Sequence, residues 1–208
     1  MGAKAWEMVV PTTPRFKGTI SRTEYGTTLI HTQRGCRETS VLSNLPIMGG
    51  LYDVPQDMDG VYFEITVNRM DGVVAIGTAC KPYPEFRFPG WNRQSTGFHL
   101  DDMRKFFEDP DGGRDYVAQR KVKSGDVIGC GYEFGKAGMF FTYNGERLPD
   151  AFTGVYLPRA AWDVYAVIGV CEESEVEVNF GCRGFTWGVG ESWAVEKHIG
   201  FLSAKEST

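Results

Sequence analysis

The chain has 208 residues, of which 42% are hydrophobic and 24% are charged, and its formal net charge is −5. This length suits one domain with extensions, and the composition is ordinary for a globular protein. The acidic balance argues against a nucleic-acid partner, because such proteins usually present a basic face. The longest apolar run, Val73 to Cys80, is far too short to cross a bilayer, so we also expect no membrane insertion.

Five cysteines are spread along the chain, and no two of them form a C-x-x-C pair. An odd count without close spacing argues against both a disulfide framework and a zinc site. We therefore expect free thiols, no metal or other cofactor, and a reducing, cytoplasmic setting for the protein.

The first quarter of the chain is irregular. Residues 1 to about 27 mix prolines and glycines with isolated hydrophobic residues, which is typical of an extended arm that contributes an edge strand. Thr27 to Thr32 is β-branched and predicts a strand. The stretch from Leu45 to Gly60 is rich in proline and glycine and predicts a loop.

From Val61 onward, short strands alternate with turns. Val61 to Asn68 alternates with period two and predicts a strand with one apolar face. The apolar face carries Val61, Phe63, Ile65 and Val67, and the other carries Tyr62, Glu64 and Thr66. Further strands are predicted at Val73 to Ala79, Asp126 to Tyr132, Met139 to Tyr143, Tyr165 to Val170 and Val176 to Phe180. Asn144-Gly145 is a strong signal for a hairpin turn.

The sequence predicts little helix. Leu100 to Glu108 could pass as a helical turn, but Gly97 and the breakers at Pro110, Gly112 and Gly113 leave it little room. Ser192 to Leu202 is a better helical candidate. Many short strands with regular turn signals favour an all-β sandwich over alternating strands and helices.

Three groups of residues could belong to a metal, catalytic or nucleotide site, but a structural role is favoured for each of them. The acidic segment from Asp101 to Asp115 lacks calcium-loop spacing, because Pro110 and Gly113 interrupt the ligand positions, so a solvated acidic turn is favoured. His99 beside Asp101 could mimic the acid and base of a glycoside hydrolase, but a positioning role is favoured. The segment GCGYEF lacks the third glycine of a dinucleotide fingerprint.

The segment from Lys81 to Arg93, KPYPEFRFPGWNR, is a loop because its three prolines forbid regular ladder pairing. Its aromatic and arginine residues are of the types enriched at interface hot spots. We expect Trp91 to turn inward and cap the core, and Tyr83 and Arg87 to lie on the surface.

Several ordered segments resemble the SPRY domain of the B30.2/SPRY family, from about Leu29 to Phe185. VYFEITV, WNRQSTGFHLDDMRKF, SGDVIGCGYEF, MFFTYNGERLPDAF and EVEVNFG are similar, in this order, to the family's characteristic segments. The subgroup resembled is the one in Ran-binding scaffold proteins and fungal endosomal ubiquitin-ligase adaptors. Met103 stands where the family has a glycine, so we expect the turn there to change shape, since glycine's freedom at positive φ is lost.

The resemblance implies an all-β fold, a bent antiparallel β-sandwich of concanavalin-like jelly-roll architecture with little helix. It implies a SPRY domain over residues 29–186, flanked by extensions 1–28 and 187–208. The family's ligand surface is built from loops, which correspond here to residues 31–38, 81–93 and 156–164. The expected exposed contact residues are Arg34, Tyr83, Arg87, Tyr156 and Trp162.

The resemblance also implies a module without catalytic activity that binds a peptide or a protein surface, as an adaptor or scaffold. A structural subunit of a large multiprotein assembly is the alternative. A carbohydrate-active sandwich enzyme is the least favoured hypothesis, and it would require two carboxylates converging on a concave face.

Overall fold

The fold is an antiparallel β-sandwich, as expected from the sequence. We describe a computed structural model of the protein over residues 2–49, 59–155 and 163–199. These residues contain two short 3-10 helices, at Ala3–Ala5 and Gly188–Trp193, and one α-helix, α1, at Val195–Ile199. The strands are β1 Gly18–Arg22, β2 Thr28–Thr32, β3 Thr39–Leu42, β4 Gly60–Met70, β5 Val74–Cys80, β6 Ser95–His99, β7 Arg104–Phe107, β8 Arg114–Asp115, β9 Asp126–Glu133, β10 Gly138–Tyr143, β11 Glu146–Arg147, β12 Val164–Val170 and β13 Ser174–Asn179.

Two sheets enclose the main core. The first has seven strands in the order β1-β2-β13-β4-β9-β10-β11, and the second has six in the order β3-β12-β5-β6-β7-β8. Alternate residues of both sheets point into the space between them, where Phe63, Phe98, Phe141 and Ile168 are fully buried. No helix in the described part of the chain is both long and apolar enough to cross a membrane.

The last two long strands lie inside the sheets. β12 pairs with both β3 and β5, and β13 pairs with both β2 and β4. In each sheet, one of these two late strands therefore joins two strands that come much earlier in the sequence.

The N-terminal segment supplies an edge strand, as predicted, and also part of the core. β1 lies at the edge of the seven-stranded sheet, paired with β2. Before it, Trp6 is buried and donates its indole N–H to the Pro46 carbonyl at 3.0 Å. Met8 is buried as well and forms an isolated antiparallel bridge with Ser43, so the segment also reaches the six-stranded sheet.

Both faces of β4 are buried. Glu64, predicted to lie opposite the apolar face, is only 4% exposed. Its carboxylate accepts hydrogen bonds from the Tyr62 hydroxyl at 3.1 Å and the Thr186 backbone N–H at 3.0 Å. Burial raises the pKa of Glu64. A second cluster of large rings covers this face, formed by Tyr62, Phe140, Phe185, Trp187 and Trp193.

The stretch from Leu100 to Glu108, where the sequence left little room for a helical turn, is a tight turn followed by β7. Its charged and aromatic residues pair with β6, and cross-strand pairing outweighs the local helical pattern. At Met103 the backbone is left-handed, with φ of 55°, although the residue is not glycine, and its side chain is fully buried. Of the helix predicted at Ser192 to Leu202, the structure has α1 at Val195–Ile199 and the last residues of a 3-10 helix that ends at Trp193, while residues 200–202 lie outside the described residues.

Candidate functional site

The loop between β5 and β6 is anchored on the six-stranded sheet. The segment around Phe88 to Gly90 packs on the face of β6 opposite Phe98, and it approaches the strand closely at Gly97. A Cβ atom at Gly97 would lie 2.2 Å from the Pro89 carbonyl oxygen, so only glycine permits this contact. The loop is therefore held against the sheet, and it displays the residues on either side of this anchor.

Tyr83 is an anchor of the loop rather than an exposed contact residue. The expectation of an exposed side chain is wrong, since Tyr83 is only 8% exposed. Its hydroxyl donates to the Phe88 carbonyl at 2.5 Å and receives a hydrogen bond from Ser95 Oγ at 3.3 Å. A buried tyrosine needs a hydrogen-bonding partner for its hydroxyl, and here the loop and the first residue of β6 each provide one. Burial raises the pKa of this hydroxyl.

The outer edge of β3 is covered by two separate segments. The Ser40 N–H donates to the Glu85 carbonyl at 2.7 Å, and Ser40 Oγ donates to the Arg87 carbonyl at 2.5 Å. Two residues farther along, the Leu42 carbonyl accepts the Val9 N–H at 2.9 Å. The edge is therefore protected by the protein's own chain, which leaves a groove between the two covering segments.

This groove, which we call the β3 groove, has a volume of about 550 Å³. Apolar side chains dominate its walls, and two of them are unusually accessible, since Val9 is 46% and Val10 55% exposed. Its lining residues are Val9, Val10, Pro11, Ser40, Leu42, Lys81, Pro82, Tyr83 and Glu85. The two adjacent exposed valines and the proline that follows them form an apolar surface that the described residues leave accessible.

The groove is lined by one basic and one acidic side chain, Lys81 and Glu85. The Glu85 carboxylate is occupied, because it accepts the Thr12 N–H at 3.0 Å and the Thr13 N–H at 2.8 Å. Lys81 places its ammonium 3.2 Å from the Ser43 carbonyl oxygen, and burial lowers its pKa. Arg87, in the same turn as Tyr83, is exposed, and no hydrogen bond or ion pair within the described residues engages its guanidinium.

The other predicted contact residues are not brought to this groove. Arg34 is exposed as expected, but it lines a separate polar cavity of about 360 Å³ together with Arg69, Asp71, Glu172 and Glu173. Tyr156 and Trp162 lie outside the described residues, as does most of the loop 156–164. Trp91 is half-buried and packs on Phe88 with a ring-centroid distance of 5.1 Å, so it is only partly turned inward.

Val9, Val10 and Pro11 were missed by the sequence analysis. They belong to the irregular N-terminal segment, where isolated hydrophobic residues give no periodic signal. Their position depends on the pairing of Val9 with Leu42, a long-range contact that leaves no local trace. The pair of consecutive valines before a proline was the only available signal.

The residues considered for an acid–base enzyme, His99, Asp101 and Asp102, line one cavity, but no hydrogen bond within the described residues joins the imidazole to either carboxyl group. His99 is only 3% exposed, and burial lowers its pKa from the ordinary value of 6.5 to about 4. Its Nε2 atom lies 3.0 Å from the Pro89 carbonyl oxygen, so Nε2 carries the proton and donates it. The imidazole thus holds the loop in place. Among residues 2–49, 59–155 and 163–199, no group of three or more His, Cys, Asp or Glu side chains is arranged to hold a metal ion.

Comparison with known proteins agrees with this fold. A family model described as "SPRY domain" matches residues 60–183. A crystal structure of a human SPRY domain superimposes with a TM-score of 0.58 and 24% sequence identity, covering 77% of this chain and 94% of the human one. At this identity the likeness shows the fold alone.

Curated relatives are longer than this chain. The protein ssh4 of Sclerotinia sclerotiorum is 33% identical over 155 residues, which are 72% of this chain and 26% of that protein. A SPRY domain-containing protein of Schizosaccharomyces pombe is 32% identical over 178 residues, covering 83% of this chain and 42% of that protein. The chain thus spans about a quarter to two fifths of these relatives. Since the family model matches more than half of the chain, including β4 to β13 of the sandwich, the chain belongs to the SPRY domain family.

Proposed function

We propose that the protein is a non-enzymatic interaction module that binds an extended segment of a partner protein in the β3 groove, as an adaptor or scaffold. The observation that carries this proposal is an accessible apolar wall at Val9 and Val10. Arg87, whose carbonyl accepts a hydrogen bond from Ser40 of the groove, adds a guanidinium without a partner in the described chain. Protein binding is the typical activity of the family to which the chain belongs.

The groove chemistry defines the segment that it accepts. Its volume of about 550 Å³ lies within the range of roughly 300–1,000 Å³ that is usual for ligand pockets. Its walls suit two or three apolar side chains, and burying each of them contributes roughly 1.5–3 kcal/mol before the costs of association. An acidic residue or a carboxy terminus next to them would pair with the Arg87 guanidinium, which binds carboxylates in a bidentate manner.

The hydrogen bonds that cover the edge of β3 argue against binding by addition of a strand. Because Glu85 and Val9 already bond to Ser40 and Leu42, a ligand does not add a strand at this edge. Recognition rests on side chains that fill the groove and on one charge pair. The five cysteines are free, which supports our placement of the protein in a reducing, cytoplasmic compartment.

The test is selection of peptides from a random library on the full chain, followed by affinity measurements on designed variants. Val10→Asp changes an exposed side chain and should leave folding intact, yet it places a charge on the apolar wall. We expect it to weaken the selected peptides at least about tenfold, since an unpaired charge would be desolvated. Arg87→Ala should weaken acidic peptides by about two- to tenfold, consistent with one accessible charge pair.

Arg34→Ala is the matched control, because it also removes one exposed arginine but lies at a separate cavity. Peptides that bind Val10→Asp as tightly as the wild type would disprove binding in the β3 groove. Loss of binding in Arg34→Ala alone would move the site to the polar cavity.

A further inference from the structure

A third cavity lies beside the loop between β5 and β6. It has a volume of about 250 Å³ and shares no lining residue with the β3 groove. One wall is aromatic and is formed by Phe88, Trp91, His99 and Phe106. The rings of this wall contact one another, with 5.1 Å between the centroids of Phe88 and Trp91 and 3.9 Å between those of His99 and Phe106. We call this the aromatic pocket.

His99 presents an acceptor in this pocket. Since its Nε2–H donates to the Pro89 carbonyl, the other ring nitrogen, Nδ1, carries a lone pair. The hydrogen bonds within the described residues give Nδ1 no donor. Burial keeps the ring neutral at physiological pH, so Nδ1 accepts and does not donate there. A buried polar group with unused hydrogen-bonding capacity lines the cavity and favours a ligand that donates.

The remaining polar lining is acidic. The cavity is lined by Glu38, Asp101 and Asp102 and by no lysine or arginine. Asp101 is exposed, and no hydrogen bond or ion pair within the described chain engages its carboxylate. Asp102 is half-buried and accepts the Arg104 N–H at 3.1 Å. Burial, together with the negative charge of Asp101, raises the pKa of the Asp102 carboxyl. Two adjacent carboxylates therefore repel each other at the mouth of the pocket.

The cations nearby are already engaged. The Arg104 guanidinium donates to Asp115 at 3.0 Å and to the Gly112 carbonyl at 2.7 Å. Arg15 lies 3.7 Å from the Glu38 carboxylate and partly neutralises it. No such partner faces Asp101, so the mouth of the pocket keeps an uncompensated negative charge on this side.

These features select the class of ligand. The acidic mouth disfavours an anion. A metal ion is disfavoured too, because no group of three suitable side chains converges within the described residues. Aromatic faces next to carboxylates are instead the recognised chemistry for an organic cation, which the ring faces attract directly. The volume of about 250 Å³ is below the size usual for a drug-like ligand and suits one side chain.

We propose that the aromatic pocket binds one basic side chain, lysine or arginine, of a protein ligand. The aliphatic stem lies against the rings of Phe88, Trp91 and Phe106, and the cationic head lies between Asp101 and Asp102 and donates to His99 Nδ1. This inference rests on the proposed protein-binding function, but it concerns a different cavity and a ligand group of opposite charge.

The experiment uses small probes on the full chain, so that no partner needs to be known. The probes are Nα-acetyl-lysine amide and Nα-acetyl-arginine amide, each with a neutral counterpart of similar shape, Nα-acetyl-norleucine amide and Nα-acetyl-citrulline amide. Binding is followed by NMR through the indole N–H of Trp91 and the ring protons of His99. We expect the cationic probes to bind at least about fivefold more tightly than their counterparts and to weaken at higher salt.

Variants locate the binding. Asp101→Asn changes an unpaired, exposed carboxylate and should weaken the cationic probes about two- to fivefold at low salt, the range of one accessible charge pair. Trp91→Ala should weaken binding of the cationic probes more than Asp101→Asn does, because it removes one of the rings of the aromatic wall. Glu146→Gln is the matched control, since it removes one exposed negative charge on β11 and should leave binding unchanged.

Equal binding of cationic and neutral probes would overturn the proposal, as would a loss of binding in Glu146→Gln equal to that in Asp101→Asn. Val10→Asp separates this inference from the proposed function. If selected peptides bind Val10→Asp as tightly as the wild type while the cationic probes still shift Trp91 and His99, only the β3 groove is disproved. If the probes fail to shift Trp91 and His99 while peptides still depend on Val10, only the pocket is disproved.

Discussion

His99 should make the stability of the fold depend on pH between neutrality and pH 4. In the folded state its pKa is lowered to about 4, whereas 6.5 is the ordinary value. Between these values the unfolded chain binds a proton at this histidine and the folded chain does not. Above pH 6.5 the histidine is neutral in both states and does not reduce the free energy of unfolding. As the pH falls from 6.5 towards 4, protonation of the unfolded chain lowers this free energy.

Replacing His99 should remove this slope. The shift corresponds to at most about 3 kcal/mol between pH 6.5 and 4, at roughly 1.4 kcal/mol for each pKa unit. We expect His99→Gln to be less stable than the wild type at pH 7 because ring packing is lost, and this difference should shrink as the pH falls. Chemical denaturation at a series of pH values measures it. Parallel curves for the two proteins would contradict the lowered pKa.

The sequence allowed the burial of some residues to be predicted, but not the backbone conformation of others. The burial of Cys80 and Cys130 could be predicted, because apolar runs on both sides place them inside strands. The left-handed turn at Met103 could not. A single non-glycine residue at positive φ costs only about 1–3 kcal/mol, and burying a methionine side chain can offset this. The backbone preference of a single residue is outweighed wherever burial of its side chain contributes a comparable free energy.

At the scale of elements, the segment from Phe185 to Trp193 acts as a third layer on the seven-stranded sheet. Trp193 is buried, with its ring centroid 5.7 Å from Phe140 and 5.4 Å from Trp187. The chain makes room for it at Gly60, where a Cβ atom would lie 2.4 Å from the Trp193 ring. Without this layer, Tyr62 and the Glu64 carboxylate would lose their cover.

Truncation of this layer should be costly. We expect Trp193→Ala to lower the free energy of unfolding by about 3–5 kcal/mol, the usual effect of removing a large buried ring. Val189→Ala, in the same 3-10 helix but 57% exposed, should change it by less than about 0.5 kcal/mol. Urea denaturation followed by circular dichroism compares them. Equal midpoints for the two variants would show that the segment does not stabilise the sheet.

Most elements could be predicted, since apolar runs and turn residues mark the strands directly. β4 shows the limit. Its alternating pattern indicated one apolar face, and Glu64 appeared to belong to a solvent-facing row. Its hydrogen bond to Thr186 spans 122 residues, and no periodicity in either segment indicates that pairing. The β3 groove escaped prediction for the same reason, because Val9 and Leu42 meet only in the folded chain.

At the scale of the whole molecule, the predicted extensions take part in the fold. Trp6 and Met8 lie in the main core, and Trp187 and Trp193 form much of the second one. The two ends also contact each other, since the Ala3 N–H donates to the Glu196 carboxylate at 2.5 Å. A boundary drawn by family resemblance alone therefore cuts through packed structure.

A fragment of residues 29–186 tests how far these ends stabilise the domain. It lacks β1 and all four of those buried side chains, each of which contributes roughly 2–5 kcal/mol when truncated singly. Because a typical domain is stable by only about 5–15 kcal/mol, we expect the fragment to be unfolded or partly folded. Limited proteolysis and circular dichroism against the full chain measure this. A fragment with an unchanged denaturation midpoint would support the predicted boundaries.

The positions of β12 and β13 have a consequence for synthesis on the ribosome. Each lies between two strands made much earlier, one in each sheet, and only a few residues separate them in the chain. Until this pair emerges, β3 is not joined to β5 and β2 is not joined to β4, so the nascent chain holds incomplete sheets with unpaired edges. Both sheets then close in one late step, and this step makes folding slow, dependent on distant contacts and exposed to aggregation until it is complete.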